Sequence, residues 1–219
     1  MRIICLSDTH NQHDQIAVPD GDFLIHAGDA TLNGTTDETT SFMNWLSAQP
    51  HATKIFVPGN HDEPFAQRKE LAILRKMFPK VRILIDQELR LRGMRIYGAP
   101  WLPAVFSDPT HWLGVRSPQL QKKWEAIPDD TALLVTHGPP CGILDKNEGG
   151  QYIGDPVLAY RLSQLADLRL HVFGHVHASI GTMEKNGRLS LNAAICDSKY
   201  RPTRKPAVIE WNDGAAKIN

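Results

Sequence analysis

Eight positions carry side chains that can bind a metal: Asp8 and His10, then Asp29, then Asn60 and His61, then His137, then His175 and His177. Each group follows a short apolar run. Asp8-Thr9-His10 follows Ile3-Ile4-Cys5-Leu6, Asp29 follows Phe23-Leu24-Ile25-His26-Ala27-Gly28, and Asn60-His61-Asp62 follows Ile55-Phe56-Val57-Pro58-Gly59. His137 follows Leu133-Leu134-Val135-Thr136, and His175-Val176-His177 follows His171-Val172-Phe173-Gly174. Taken one at a time these residues have ordinary readings. Asp29 could cap a turn, Asn60 could close an Asx-turn, and His137 could be a buried histidine with a hydrogen-bond partner. Taken together they are poorly explained by capping, which does not call for histidine.

The elements that must position them are short. Apolar runs at 2–7, 23–26, 54–57, 132–136 and 171–173 read as buried strands, each ending in a polar loop. Ligands of open α/β sheets gather just beyond the C-terminal ends of the strands. Residues two apart in extended backbone point the same way, so Asp8 pairs with His10 and His175 with His177. Gly28, Gly59 and Gly174 precede Asp29, Asn60 and His175 and permit close backbone approach. Helical spacing is expected over 36–49, 65–78, 117–126 and 156–166, with Asp155 as N-cap and Pro156 in the first helical position. Strands are also expected at 81–85, 89–91 and 95–97. Asn186-Gly187 between 180–185 and 188–193 predicts a hairpin, and 207–211 reads as the closing strand. The longest stretches without clear structure are 101–114 and 141–154.

These blocks, in this order over residues 8–177, resemble the calcineurin-like metallophosphoesterase superfamily. Gly98-Ala99-Pro100-Trp101, Thr136-His137-Gly138-Pro139-Pro140 and Asn192-Ala193 are similar to its small metallophosphoesterase-domain-containing branch, which is like class III cyclic nucleotide phosphodiesterases. Some animal members of that branch have glycine where this chain has His175. The resemblance implies a single domain over 1–219, folded as a four-layer α/β/β/α sandwich of two mixed sheets.

It also implies one divalent ion held by Asp8, His10, Asp29 and His177, and a second held by Asp29, Asn60, His137 and His175. Asp29 would bridge the two. An oxygen and imidazole set without thiolate suits Mn²⁺ first, then Fe or Zn²⁺. The implied reaction is in-line attack on phosphorus by a hydroxide between the ions. His61 would assist the leaving group, and Asp62 would orient His61 or simply place negative charge at a helix start.

Other features set bounds. Lys+Arg and Asp+Glu balance at 24 each, so no global field attracts a polyanion. The resemblance implies a small phosphate ester as substrate, cyclic nucleotides being among the candidates. A nuclease, a protein phosphatase or a non-catalytic scaffold are the alternatives. Cys5, Cys141 and Cys196 form no disulfide framework. The apolar N-terminal run is short for a signal peptide, and no stretch is apolar over the ~20 residues that span a bilayer. The cytoplasm is the expected compartment. Trp101 reads as a loop anchor or a base-stacking ring, 145–148 as a solvated loop, and Lys199, Arg201, Arg204 and Lys205 as a solvated basic turn. His26 reads as a buried or supporting histidine, and His13, His51, His111 and His171 carry no assigned role.

Overall fold

The computed structural model describes residues 1–104, 112–212 and 214–219, so half of the 101–114 stretch, His111 included, lies outside the described residues. Fourteen strands and four α-helices are formed among them. The strands are β1 (Arg2–Leu6), β2 (Phe23–His26), β3 (Thr53–Phe56), β4 (Val81–Ile83), β5 (Gln87–Leu91), β6 (Met94–Ala99), β7 (Leu102–Pro103), β8 (Gly114–Val115), β9 (Leu133–Thr136), β10 (Leu170–Phe173), β11 (Gly181–Lys185), β12 (Arg188–Asn192), β13 (Ala207–Asn212) and β14 (Ala215–Ile218). The helices are α1 (Thr36–Ala48), α2 (Arg68–Met77), α3 (Ser117–Glu125) and α4 (Pro156–Gln164).

Two six-stranded sheets result. One runs β14-β13-β1-β2-β3-β4 and the other β11-β12-β10-β9-β6-β5. In each, four adjacent strands are parallel: β1 to β4, and β12, β10, β9 and β6. Antiparallel strands complete both sheets.

Strict alternation within the strands separates the layers. Ile3 and Cys5 of β1 and Ile25 of β2 meet Ile96, Val135, Val172 and Leu191 in a core between the sheets. Ile4, Leu6 and Leu24 face the other way, onto Phe42, Met43 and Leu46 of α1 and Leu74 of α2. On the far side, Tyr97 and Leu134 pack on Leu120 and Trp124 of α3 and on Leu158 and Leu162 of α4. This is the expected α/β/β/α sandwich.

Local chemistry fixes the helix starts. Thr35 and Glu38 form a reciprocal capping box at α1. Asp155 accepts from the Val157 amide at 2.7 Å at α4, with Pro156 in the first turn. Two expectations are corrected. The helix expected at 65–78 is instead a 3₁₀ turn at Glu63–Ala66 followed by α2, and the break buries Phe65 against Phe56. The chain does not close at β13, because β14 returns antiparallel beside it. No helix among the described residues is long and apolar enough to cross a membrane.

Candidate metal centre

The ends of β1, β2, β3, β9 and β10 lie together, and their loops are tied to one another. The Asp8 amide donates to Gly28 O at 2.8 Å and the His10 amide to Asp29 O at 3.1 Å. Across the sheets, the His175 amide donates to both Asp8 carboxylate oxygens, at 3.0 and 3.1 Å. The His61 amide donates to Asp29 Oδ1 at 2.9 Å. Asp8, His10, Asp29 and His175 all have left-handed backbone, with φ of 52°, 39°, 54° and 69°. Such backbone costs a side-chain-bearing residue about 1–2 kcal/mol and persists where the surroundings over-determine it. The three glycines are sterically required. A Cβ on Gly174 would overlap Asp8 Oδ2, one on Gly59 would overlap Asp29 Oδ1, and one on Gly28 would lie 2.5 Å from His137 Nδ1.

Two overlapping clusters follow. In the first, His177 Nε2 lies 3.1 Å from Asp8 Oδ1 and 3.4 Å from His10 Nε2, which is 3.9 Å from Asp29 Oδ2. In the second, His137 Nε2 lies 3.4 Å from Asp29 Oδ1 and 3.0 Å from Asn60 Oδ1, with His175 in the same group. Asp29 belongs to both. The seven side chains thus lie close together, and a third grouping brings His61 beside His10 and Asp29.

The hydrogen bonds behind the rings test whether these residues suit cations. His10 Nδ1 faces Thr31 O at 3.1 Å, His137 Nδ1 faces Ala27 O at 2.9 Å, and His177 Nδ1 faces Asp197 O at 2.9 Å. A carbonyl only accepts, so each Nδ1 carries a proton and each Nε2 is turned toward the cluster as a ligand atom. Nε2 atoms 3.4 Å apart beside two buried carboxylates suit a cation between them. The donor set fits a dinuclear site.

Charge is compressed here. Burial raises the Asp8 carboxyl, but the His177 hydrogen bond and charge outweigh it and hold the group at about 2. Burial lowers His137, yet Asp29 beside it brings it up to about 9. His177 is likewise lowered by burial and brought up to about 9 by its Asp8 bond. His175 is pushed down to about 4 by burial and the neighbouring His137. In the metal-free protein the raised His137 and His177 favour the fold fully below their ordinary value of 6.5. That contribution is lost as pH climbs toward 9. A metal must displace both protons, so Mn²⁺ loading at pH 7 is expected to release about two protons per chain. Calorimetry in buffers of different ionisation enthalpy measures this. Release should fade toward about pH 9.5, and none at pH 7 would contradict the assignment.

Two buried histidine–threonine pairs brace the loops, one in each sheet. Gly28 N donates to His26 Nδ1 at 3.3 Å, so His26 Nε2 carries the proton and donates to Thr9 Oγ1 at 3.0 Å, between Asp8 and His10. Thr136 Oγ1 donates to Gly138 O at 2.7 Å and so accepts from His171 Nε2 at 2.9 Å, one residue before His137. Burial holds both rings neutral, pushing His26 down to about 3 and His171 well below its usual value. Asn192 steadies the other loop by donating to Val176 O at 2.8 Å.

Asp62 does not orient the His61 ring, whose Nδ1 faces Leu32 O at 2.7 Å. Its buried carboxylate, raised to about 6 by burial and the Asp29 charge, accepts from Ala30 N, Thr31 N, Thr31 Oγ1 and Gly59 N. It joins the loops after β2 and β3. Trp101 is an anchor: its indole donates to Asp86 at 2.5 Å while Lys123 Nζ lies 3.9 Å from its ring centroid.

The clusters open into a cleft of about 420 Å³, a volume ordinary for small-molecule sites. Asn147 and Glu148 line it, so the 145–148 loop is a cleft wall and not merely solvated. So does Tyr200, from the turn read as basic and solvated, where Arg201 is paired with Asp197. Nothing in the spacing of Asp197-Ser198-Lys199-Tyr200 marks that turn, since its link to the site runs through a backbone carbonyl.

Residues 1–179 match the family model described as calcineurin-like phosphoesterase. The chain is 36% identical over 234 residues to human metallophosphoesterase domain-containing protein 1, covering 95% of this chain and 70% of that one. It is 26% identical over 190 residues to a probable glycerophosphodiester phosphodiesterase of Arcobacter nitrofigilis, covering 80% of this chain and 63% of that protein. The solved structure of TT1561 from Thermus thermophilus shares the fold, with a TM-score of 0.65 at 14% identity, covering 100% and 97% of the two chains. The chain belongs to the calcineurin-like phosphoesterases, a family of metal-dependent phosphoric ester hydrolases whose two-metal site its histidine and aspartate clusters fit.

Proposed function

We propose that this protein is a phosphodiesterase acting on small esters, cyclic nucleotides among them, with Asp8, His10, Asp29 and His177 around one ion and Asp29, Asn60, His137 and His175 around the other. The observation that carries this is the sharing of Asp29 between two imidazole–carboxylate clusters at the floor of one cleft. When bound, two divalent ions, Mn²⁺ being the first expected, supply an activated water and neutralise the phosphate's negative charge.

The chain's own residues do the rest. Asp29 and Asp8 are held ionised by neighbouring imidazoles and amides. His61 is half-buried at the cleft, with its Nδ1 proton committed to Leu32 O, so Nε2 is its remaining site for passing a proton to a leaving oxygen. Asp62 acts through the loops it joins. Histidines apart, the described residues lining the cleft are neutral or acidic, with Glu148 at its wall. That favours a diester, which carries one negative charge, over a dianionic monoester, and it disfavours a polyanionic polymer. The likeness to a glycerophosphodiester phosphodiesterase supports the same reading. Three unpaired thiols suit the cytoplasm.

The test is a panel of phosphomonoesters, linear diesters and 2′,3′- and 3′,5′-cyclic nucleotides with Mn²⁺, each product identified. Diesters are expected to be cleaved at least about tenfold faster than monoesters, the factor that ~1.4 kcal/mol sets. Faster monoester cleavage, or activity that survives chelation, would sink the reading.

A further inference from the structure

Tyr200 stands at the cleft in an arrangement that packing alone does not require. Its φ is 57°, left-handed backbone that tyrosine adopts at a cost. The turn around it is closed by a dense clasp. The Asp197 carboxylate accepts from the Lys199 and Arg201 amides at 2.9 and 3.0 Å and from Arg201 Nε at 2.8 Å and Nη2 at 2.5 Å. Tyr200 N donates to Asp197 O, and Asp197 N to Arg201 O, each at 2.9 Å. The same Asp197 carbonyl accepts from His177 Nδ1, so the turn is fixed directly to the metal cluster. The Tyr200 ring meets His10 edge-on at 4.6 Å and lies 6.2 Å from His61 and 6.0 Å from His177. Yet 39% of the residue is exposed, where a shield for His10 would be better buried. Among the described residues lining the cleft it is the one aromatic side chain other than histidine.

We infer that Tyr200 is a specificity-determining residue that receives a flat aromatic group of the ester, such as a nucleobase or aryl ring, while the phosphate sits on the metal cluster. An aromatic platform held rigidly beside a charged centre binds planar rings by stacking and discriminates little among them. The clasp around Asp197 holds the strained Tyr200 backbone in place, so the ring keeps its position beside the cluster. The inference rests on the phosphodiesterase reading and narrows its substrate class to esters bearing an aromatic substituent.

The experiment uses the Mn²⁺-loaded full chain and two diesters, bis(p-nitrophenyl) phosphate and glycerophosphoethanolamine, which has no ring. Tyr200→Leu and Tyr200→Ala are expected to raise KM for the aryl ester roughly 5- to 150-fold, the range that base–aromatic stacking spans. KM for the ringless ester, kcat and metal content should change less than about twofold, and Tyr200→Phe should keep the aryl KM. Equal losses on both esters, a loss of bound metal in the leucine variant, or an unchanged aryl KM would each overturn the assignment of Tyr200. A wild-type protein that cleaves neither ester would overturn the underlying reading and this inference with it.

Discussion

Asp29→Asn is expected to lower metal-dependent phosphodiesterase activity by at least about 10³-fold while leaving the fold intact, a loss at the upper end for removal of one electrostatic group. The carboxylate places Oδ1 3.4 Å from His137 Nε2 and Oδ2 3.9 Å from His10 Nε2, one oxygen toward each cluster. Oδ1 also accepts from the His61 amide at 2.9 Å. In asparagine the carbonyl oxygen keeps that hydrogen bond, so the NH₂ group falls where Oδ2 was. A donor then points at the cluster of Asp8, His10 and His177, and one full negative charge is gone. That cluster should lose its ion first, so elemental analysis should read about one metal per chain in place of two. Two retained ions with activity within about tenfold of wild type would show that Asp29 is not shared.

His61→Gln is the second large effect, and its signature is selectivity. His61 Nδ1 is committed to Leu32 O, and its ring meets His10 edge-on at 4.8 Å. A group that protonates a leaving oxygen matters when the leaving alcohol is basic and little when it is already a stable anion. The variant is expected to lose about 10²–10⁴-fold in kcat on alkyl esters and far less on p-nitrophenyl esters. Metal content should stay at wild-type level. His61 also falls within 4.8 Å of His10 and Asp29 as a candidate third ligand of that group. Loss of metal with equal losses on both ester types would assign it there.

The parts legible in the sequence are those whose signal is local. The cluster residues come in five groups, each in the loop just after one apolar strand, and alternation such as Ile3 and Cys5 against Ile4 and Leu6 already separates two packed faces. The glycines before Asp29, Asn60 and His175 were legible for the same reason, and the structure adds only which atoms they make room for. The illegible parts depend on pairings across the chain. Asp62 adjoins His61, so adjacency suggests a partnership, yet its carboxylate turns back to the loop after β2. The carbonyls that fix the imidazole tautomers are backbone atoms, silent in any sequence. Tyr200 lies in a turn without period or motif, 23 residues past His177. β14 lacks the apolar alternation that announces a strand and forms because β13 offers it an open edge.

The two clusters each draw on both halves of the sandwich. Asp8, His10, Asp29 and Asn60 follow strands of one sheet, while His137, His175 and His177 follow strands of the other. Ion–ligand bonds tolerate only a few tenths of an ångström, far less than apolar packing does. Cations held by these residues would act as a calliper across the gap between the sheets. Shaving a methyl group from the inter-sheet layer, as Ile96→Val would, costs only about 0.5–1.5 kcal/mol of global stability. If that change lets the sheets settle closer, the injury surfaces first as weaker ion retention, well before the chain melts. Mutations remote from the cleft can thus disable the protein without unfolding it.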